Sequence, residues 1–240
     1  QAVALVSTAT TLTEKIFWFV PSMQGAIFPI FSRLHVTERD RFGSAFARAL
    51  RYQVLIAVGC GLGASLLGPW VIRFVFPEEF WTAGLVVEVL GWICVPKLVS
   101  SLFVTVLQSL SRERQVSWIS AIQCAVYIIA TFFCVSAWGV LGFAWAYLVA
   151  ESVGVGLYVG CLWRTGAFAE SDVGVLAATL SCGIALFFAT ALFPGGRENF
   201  FVVIGVLLCF PVLLVISRGV SREDVHYLQG LWMSRRPSVA

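Results

Sequence analysis

The chain has 240 residues, of which 59% are hydrophobic and 12% charged, with a mean hydropathy of +0.90 and a formal net charge of +3. Soluble domains carry roughly 25% charged residues, so water is excluded as the main solvent of most of this chain. The small positive excess sits in links between apolar blocks rather than interleaved with aromatics on a solvated surface, which argues for membrane topology and against a nucleic-acid partner.

The apolar residues arrive in blocks of about 20 or more, the length that crosses a hydrocarbon core of ~30 Å. Seven spans are predicted, an all-α integral membrane bundle whose partners include the surrounding membrane lipids. The first, 2–30, is bent by Pro21 and Pro29, each of which removes a backbone donor. Arg33, Arg39, Arg41, Arg48 and Arg51 follow, and the spacing of Phe42, Phe46 and Leu50 predicts an amphipathic helix at 36–51 lying in the interface. The second span, 52–74, holds Gly59 and Gly63 as expected points of close helix contact, and Pro77-Glu78-Glu79 closes it.

The third span, 85–110, carries Pro96 near its middle. A basic link, Arg112-Glu113-Arg114, leads into the fourth, 116–137. After a turn at Trp138-Gly139 the fifth, 140–163, offers Gly156 and Gly160 for close packing. The last two, within 173–216, contain no ionisable residue between 173 and 193 or between 200 and 216, and a polar, basic tail occupies 217–240.

Arginine placement sets the orientation. The links after the first, third, fifth and seventh spans hold most of the arginines, whereas the other side has only Arg73 and Arg197. The basic side, with the C-terminus, is expected to be cytoplasmic, in an inner or cytoplasmic membrane. That puts Gln1 on the far side without a signal peptide, so the chain is expected to be a fragment whose upstream spans are missing.

Lys15 and Lys97, the only lysines, fall near the middle of spans, as does Glu151, and Glu14 adjoins Lys15. A charge at the bilayer centre costs about 2.5 to 3.5 kcal/mol on insertion scales, so such residues usually face a protein interior or a wet cavity. Residues three or four apart share a helix face. Lys97, Ser101, Thr105 and Gln108 therefore form a polar stripe on the third span. Thr8, Thr11, Lys15 and Ser22, with Gln24 to one side, do so on the first; Ser120, Gln123, Tyr127 and Thr131 on the fourth; Tyr147, Glu151 and Tyr158 on the fifth.

The expectation is a hydrated cavity lined by Lys15, Lys97, Glu14, Glu151, Ser101, Thr105, Gln108, Gln123 and Tyr127. The competing reading has serine and threonine hydroxyls bonding their own backbone and the charges forming structural ion pairs, Lys97 with Glu151 or Lys15 with Glu14. His35 and His226, the only histidines, are predicted outside the hydrocarbon, so no histidine-based metal centre or relay is expected within the bundle. The seven cysteines are scattered singly as small hydrophobes, and no resident cofactor or metal is expected.

The run from Pro21 through Gly25-Ala26-Ile27-Phe28-Pro29 to Phe31-Ser32-Arg33-Leu34 resembles a Pro-rich span with its basic amphipathic helix in the polysaccharide and oligosaccharide flippases. These belong to the multidrug/oligosaccharidyl-lipid/polysaccharide exporter superfamily, which includes the MATE-like transporters. Gly68-Pro69-Trp70, Arg73 to Phe76, Glu78-Glu79-Phe80, Val106-Leu107-Gln108 and Trp138 to Ala144 are similar in order and spacing. The likeness covers roughly the first 165 residues.

The resemblance implies the C-terminal lobe of a two-lobed MATE-like fold, its N-terminal lobe upstream, with two additional C-terminal helices. It implies alternating-access transport of an undecaprenyl-type lipid-linked oligosaccharide, coupled to H+ or Na+, rather than an enzymatic activity. Lys15 and Lys97 would be cations for the cargo's phosphates, and Glu151 a coupling site. A multidrug or cation antiporter of the same superfamily is the alternative, favouring a carboxylate-dominated cavity. A membrane-embedded glycosyl or acyl transferase would be expected to present an acidic or histidine motif on an extended loop, and none occurs here. A non-transporting assembly subunit predicts polar stripes packed dry against a partner.

Overall fold

The computed structural model describes residues 20–37, 39–81 and 83–165, with a few helical positions elsewhere (10, 11, 15, 174, 181, 184, 203–205 and 208). Every regular element among them is helical: α1 (Val20–Thr37), α2 (Arg39–Val75), a 3-10 turn (Glu78–Phe80), α3 (Ala83–Gly91), α4 (Cys94–Ser109), α5 (Glu113–Trp138) and α6 (Val140–Trp163). Among the described residues, four stretches are long and apolar enough to cross a membrane: 41–75, 83–109, 113–138 and 140–163. The chain is thus an all-helical membrane protein. Two compact units divide at residue 176, and all the elements above belong to the first. The predicted spans within 173–216 and the tail 217–240 lie largely outside the described residues, as does most of the first span before residue 20.

The predicted interfacial helix at 36–51 is not a separate element. No turn interrupts the backbone after Arg51, and α2 runs for 37 residues with Pro69 inside it near its C-terminal end, roughly 55 Å at 1.5 Å per residue. Its apolar stripe recurs every four residues through Phe42, Phe46, Leu50, Val54, Val58, Leu62 and Leu66, all buried. Phe42 meets Phe31 of α1 edge-on at 5.4 Å, and Phe46 packs against Phe103 of α4 at 6.1 Å. The aromatic face expected on lipid therefore packs on protein, because α1 and α4 supply a closer apolar surface.

The third predicted span is broken in two. Pro96 lacks the N–H that would bond Trp92, and its ring clashes with that carbonyl in a regular helix. The chain crosses the break with shorter-range bonds instead, Trp92 N to Val89 O at 3.1 Å, Ile93 N to Leu90 O at 3.0 Å and Val95 N to Trp92 O at 3.2 Å. Such irregular backbone survives at membrane depth only inside protein, and Gly91, Ile93 and Cys94 are buried. Lys97 follows this break directly.

Close helix contacts fall on glycines other than three of the four expected. Gly63, Gly156 and Gly160 face open space. A Cβ on Gly68 would lie 2.3 Å from Val87 Cγ1, one on Gly91 2.6 Å from Ser65 N, and one on Gly142 2.0 Å from the Cys134 carbonyl oxygen. Spacing alone located small residues but not the rotation of each helix about its axis. The α5–α6 hairpin turns on a single residue, Gly139, whose φ of +57° suits glycine. Ser111 takes the same φ at the end of α4, with Arg112 N bonded to Leu107 O at 2.9 Å, a Schellman-type stop.

Candidate functional site: a polar cavity between α1, α4, α5 and α6

Helix α4 packs on α1, α2, α5 and α6, so side chains from several directions meet at Lys97. Its ammonium donates to the Tyr147 hydroxyl and, at 3.4 Å, to Glu151 Oε1. Tyr147 and Glu151 lie four residues apart on one face of α6, and that spacing brings both to the same cation. Gln123 of α5 donates to the other carboxylate oxygen at 2.7 Å. The Glu151 side chain is only 9% exposed, whereas 38% of the Lys97 side chain is accessible. The pair is therefore asymmetric: a carboxylate enclosed by protein and an ammonium open on one side.

That open side is a cavity of about 390 Å³ lined by Gln24 of α1, Lys97, Ser100 and Ser101 of α4, Ser120 and Gln123 of α5, and Glu151 and Tyr158 of α6, together with Val20 and Val104. Gln24 ties α1 to α4 through the Ser101 carbonyl at 3.3 Å, and Ser120 lies 3.4 Å from the Tyr158 hydroxyl. Behind the cavity Gln53 of α2, fully buried, donates to the Leu98 carbonyl at 2.9 Å. One cation, one carboxylate and two amides are thus presented to one space by four helices, an arrangement that can hold an anion beside Lys97 or a cation beside Glu151.

The predicted stripes meet this cavity unevenly. Lys97, Ser101, Gln123 and Glu151 converge on it. Thr105 is buried and its hydroxyl bonds back to the Ser101 carbonyl at 2.9 Å, while the Ser101 hydroxyl bonds to the Leu98 carbonyl at 2.7 Å. These two hydroxyls follow the backbone-bonding reading, although the Ser101 side chain still lines the space. Tyr127 stands one layer away, its ring 5.6 Å from Tyr147 and 6.0 Å from Phe143. Gln108 is exposed, eleven residues along α4 from Lys97, roughly 16 Å of rise.

Lys15 is a helical, exposed residue and is not among those that line the cavity. Glu14 lies outside the described residues. Of the two ion pairs anticipated, Lys97 with Glu151 is present at 3.4 Å. Sequence reasoning overlooked Ser100 and Gly154. A Cβ on Gly154 would stand 2.8 Å from Gln123 Cδ, so this glycine makes room for the amide that holds Glu151. Its position three residues after Glu151 was the available signal.

What fold and site define together is an all-helical membrane protein with a polar cavity between its candidate spans. No family model and no curated protein matches this chain.

Proposed function

We propose that the chain is part of a flippase that carries a lipid-linked oligosaccharide across the cytoplasmic membrane by alternating access, as the C-terminal lobe of a MATE-like fold. The observation that carries this reading is Lys97: a mid-span ammonium, more than one-third exposed, opening onto a four-helix cavity with a buried carboxylate at its side. An unsolvated charge there is costly, so the side of the ammonium that Glu151 and Tyr147 leave open calls for water or an anion in the cavity. The resemblance of residues 21–34 and the later fragments to polysaccharide flippases supplies the cargo class.

In this reading a phosphate of the cargo competes with Glu151 for Lys97, since an ammonium is a point-charge partner for either anion. Cargo binding separates the pair and leaves Glu151 to take a proton or Na+, which couples cargo movement to an ion gradient. Lys97→Ala in the full-length protein is expected to abolish surface polysaccharide assembly while membrane insertion and abundance stay normal. Normal polymer display by that variant would defeat the proposal. Glu151→Gln is expected to retain cargo binding but lose gradient dependence.

A cation or drug antiporter is the second reading, favoured by one observation: Glu151 is the more deeply enclosed member of the pair. It requires cationic compounds, not phosphate-bearing lipids, to protect Glu151 from carboxyl-modifying reagents.

A further inference from the structure

A second cavity, of about 410 Å³, opens between the start of α5 and the end of α6, remote from Lys97 in sequence and sharing no lining residue with the first. Arg112 precedes α5 and Arg164 follows α6, so the antiparallel pair brings both to the same end. Among the described residues, no acidic one lines the space. Its floor is the face of α6 at Gly156 and Gly160, where an added Cβ would meet nothing within 4 Å. Trp118, 63% exposed, forms one wall.

These features divide the cavity into a cationic mouth and an apolar trough running along two candidate spans. A phosphate held between two guanidiniums receives charge-assisted, directional hydrogen bonds. An aromatic at interface depth suits the boundary between headgroup and acyl chain, and a trough without side chains on one wall fits a hydrocarbon tail. The arginine count predicts this end to be cytoplasmic, the leaflet where anionic lipids gather and where basic pockets between spans hold their headgroups.

We infer that this groove is a binding site for an anionic phospholipid, with the headgroup phosphate on Arg112 and Arg164 and one acyl chain along Gly156 and Gly160. The site is independent of the transport reading, and its occupant comes from the bilayer rather than from solution. It gives the two glycines a role that helix packing does not: they keep a lipid channel open.

The test is titration of the purified full chain in detergent with dioleoylphosphatidylglycerol or dioleoylphosphatidylcholine, followed by native mass spectrometry. The phosphatidylglycerol adduct is expected to form at lower concentration. Arg112→Gln with Arg164→Gln should weaken it about thirtyfold, from roughly fivefold per basic residue, while Arg112→Lys with Arg164→Lys should preserve most of the preference. Gly156→Leu with Gly160→Leu should remove the adduct with both arginines intact. Glycerol phosphate alone should not displace the lipid, because it lacks the tail that fills the trough. Equal binding of both lipids, an unaltered preference in the glutamine variant, displacement by glycerol phosphate, or an unchanged adduct after the leucine substitutions would each overturn the proposal, as would failure of the full chain to bind phosphatidylglycerol because a helix covers the groove.

Discussion

Deleting either partner of the Lys97–Glu151 pair should not cost the same. Lys97→Met leaves a carboxylate whose side chain is 9% exposed, with Gln123 at 2.7 Å as a remaining donor. Breaking a fully buried pair typically costs about 3 to 5 kcal/mol. Partial access at the lysine end and the Gln123 bond reduce this to about 2 to 3 kcal/mol here. Glu151→Leu instead leaves an ammonium whose side chain is 38% exposed and still bonded to Tyr147, so its cost should be about 1 kcal/mol. The double variant removes both charges from a site lined partly by valines. It should lie within about 1 kcal/mol of the parent, since replacing an ion pair by apolar side chains is often neutral. The assay is a double-mutant cycle on the full-length protein, unfolded by a denaturing detergent in mixed micelles, with a coupling of about 3 kcal/mol expected. Equal costs for the two single variants, or additive costs in the double, would refute the asymmetry argued from burial.

Three further outcomes follow from particular backbone and side-chain contacts. Gly142→Ala sets a methyl 2.0 Å from the Cys134 carbonyl oxygen, so the α5–α6 hairpin must separate and stability should fall by about 3 kcal/mol, measured by thermal aggregation in detergent. Gly154→Ala meets only the movable end of Gln123. It should cost about 1 kcal/mol through the lost Gln123–Glu151 bond, yet reduce transport more strongly than any stability-matched variant elsewhere. Ser111→Gly relieves a left-handed residue at the α4 stop and should raise stability by about 1 kcal/mol, seen as a higher melting temperature with transport unchanged.

The parts of the site that were legible in the sequence were those where residue type contradicted its surroundings. Lys97 and Glu151 stand out because charge is rare in apolar runs, and a period of three to four places Ser101 with Lys97. The same periodicity failed at Gln108, where the helix carries the residue beyond the cavity, and at Thr105, whose hydroxyl finds a carbonyl in its own helix. Which glycines form contacts was illegible, because Gly63 and Gly68 differ only in how α2 is rotated toward α3, a property of the whole packing. The helix break at Pro96 was readable as a proline within a span. Its consequence, a lysine presented beside buried irregular backbone, needed the surrounding helices. The continuity of α2 past Arg51 was hidden by arginines that mimic a surface helix, although Phe42, Phe46 and Leu50 already carry the four-residue spacing of the stripe that follows.

The proposed transport requires Lys97 to meet a phosphate of its cargo. The most direct measurement is translocation of a fluorescent polyprenyl-diphosphate oligosaccharide by the purified full-length protein in vesicles, read by loss of fluorescence to a membrane-impermeant reducing agent. The parent protein should expose the lipid to the opposite leaflet, Lys97→Arg should retain part of that rate, and Lys97→Ala should fall to the rate of empty vesicles. Translocation by Lys97→Ala at the parent rate would contradict the account.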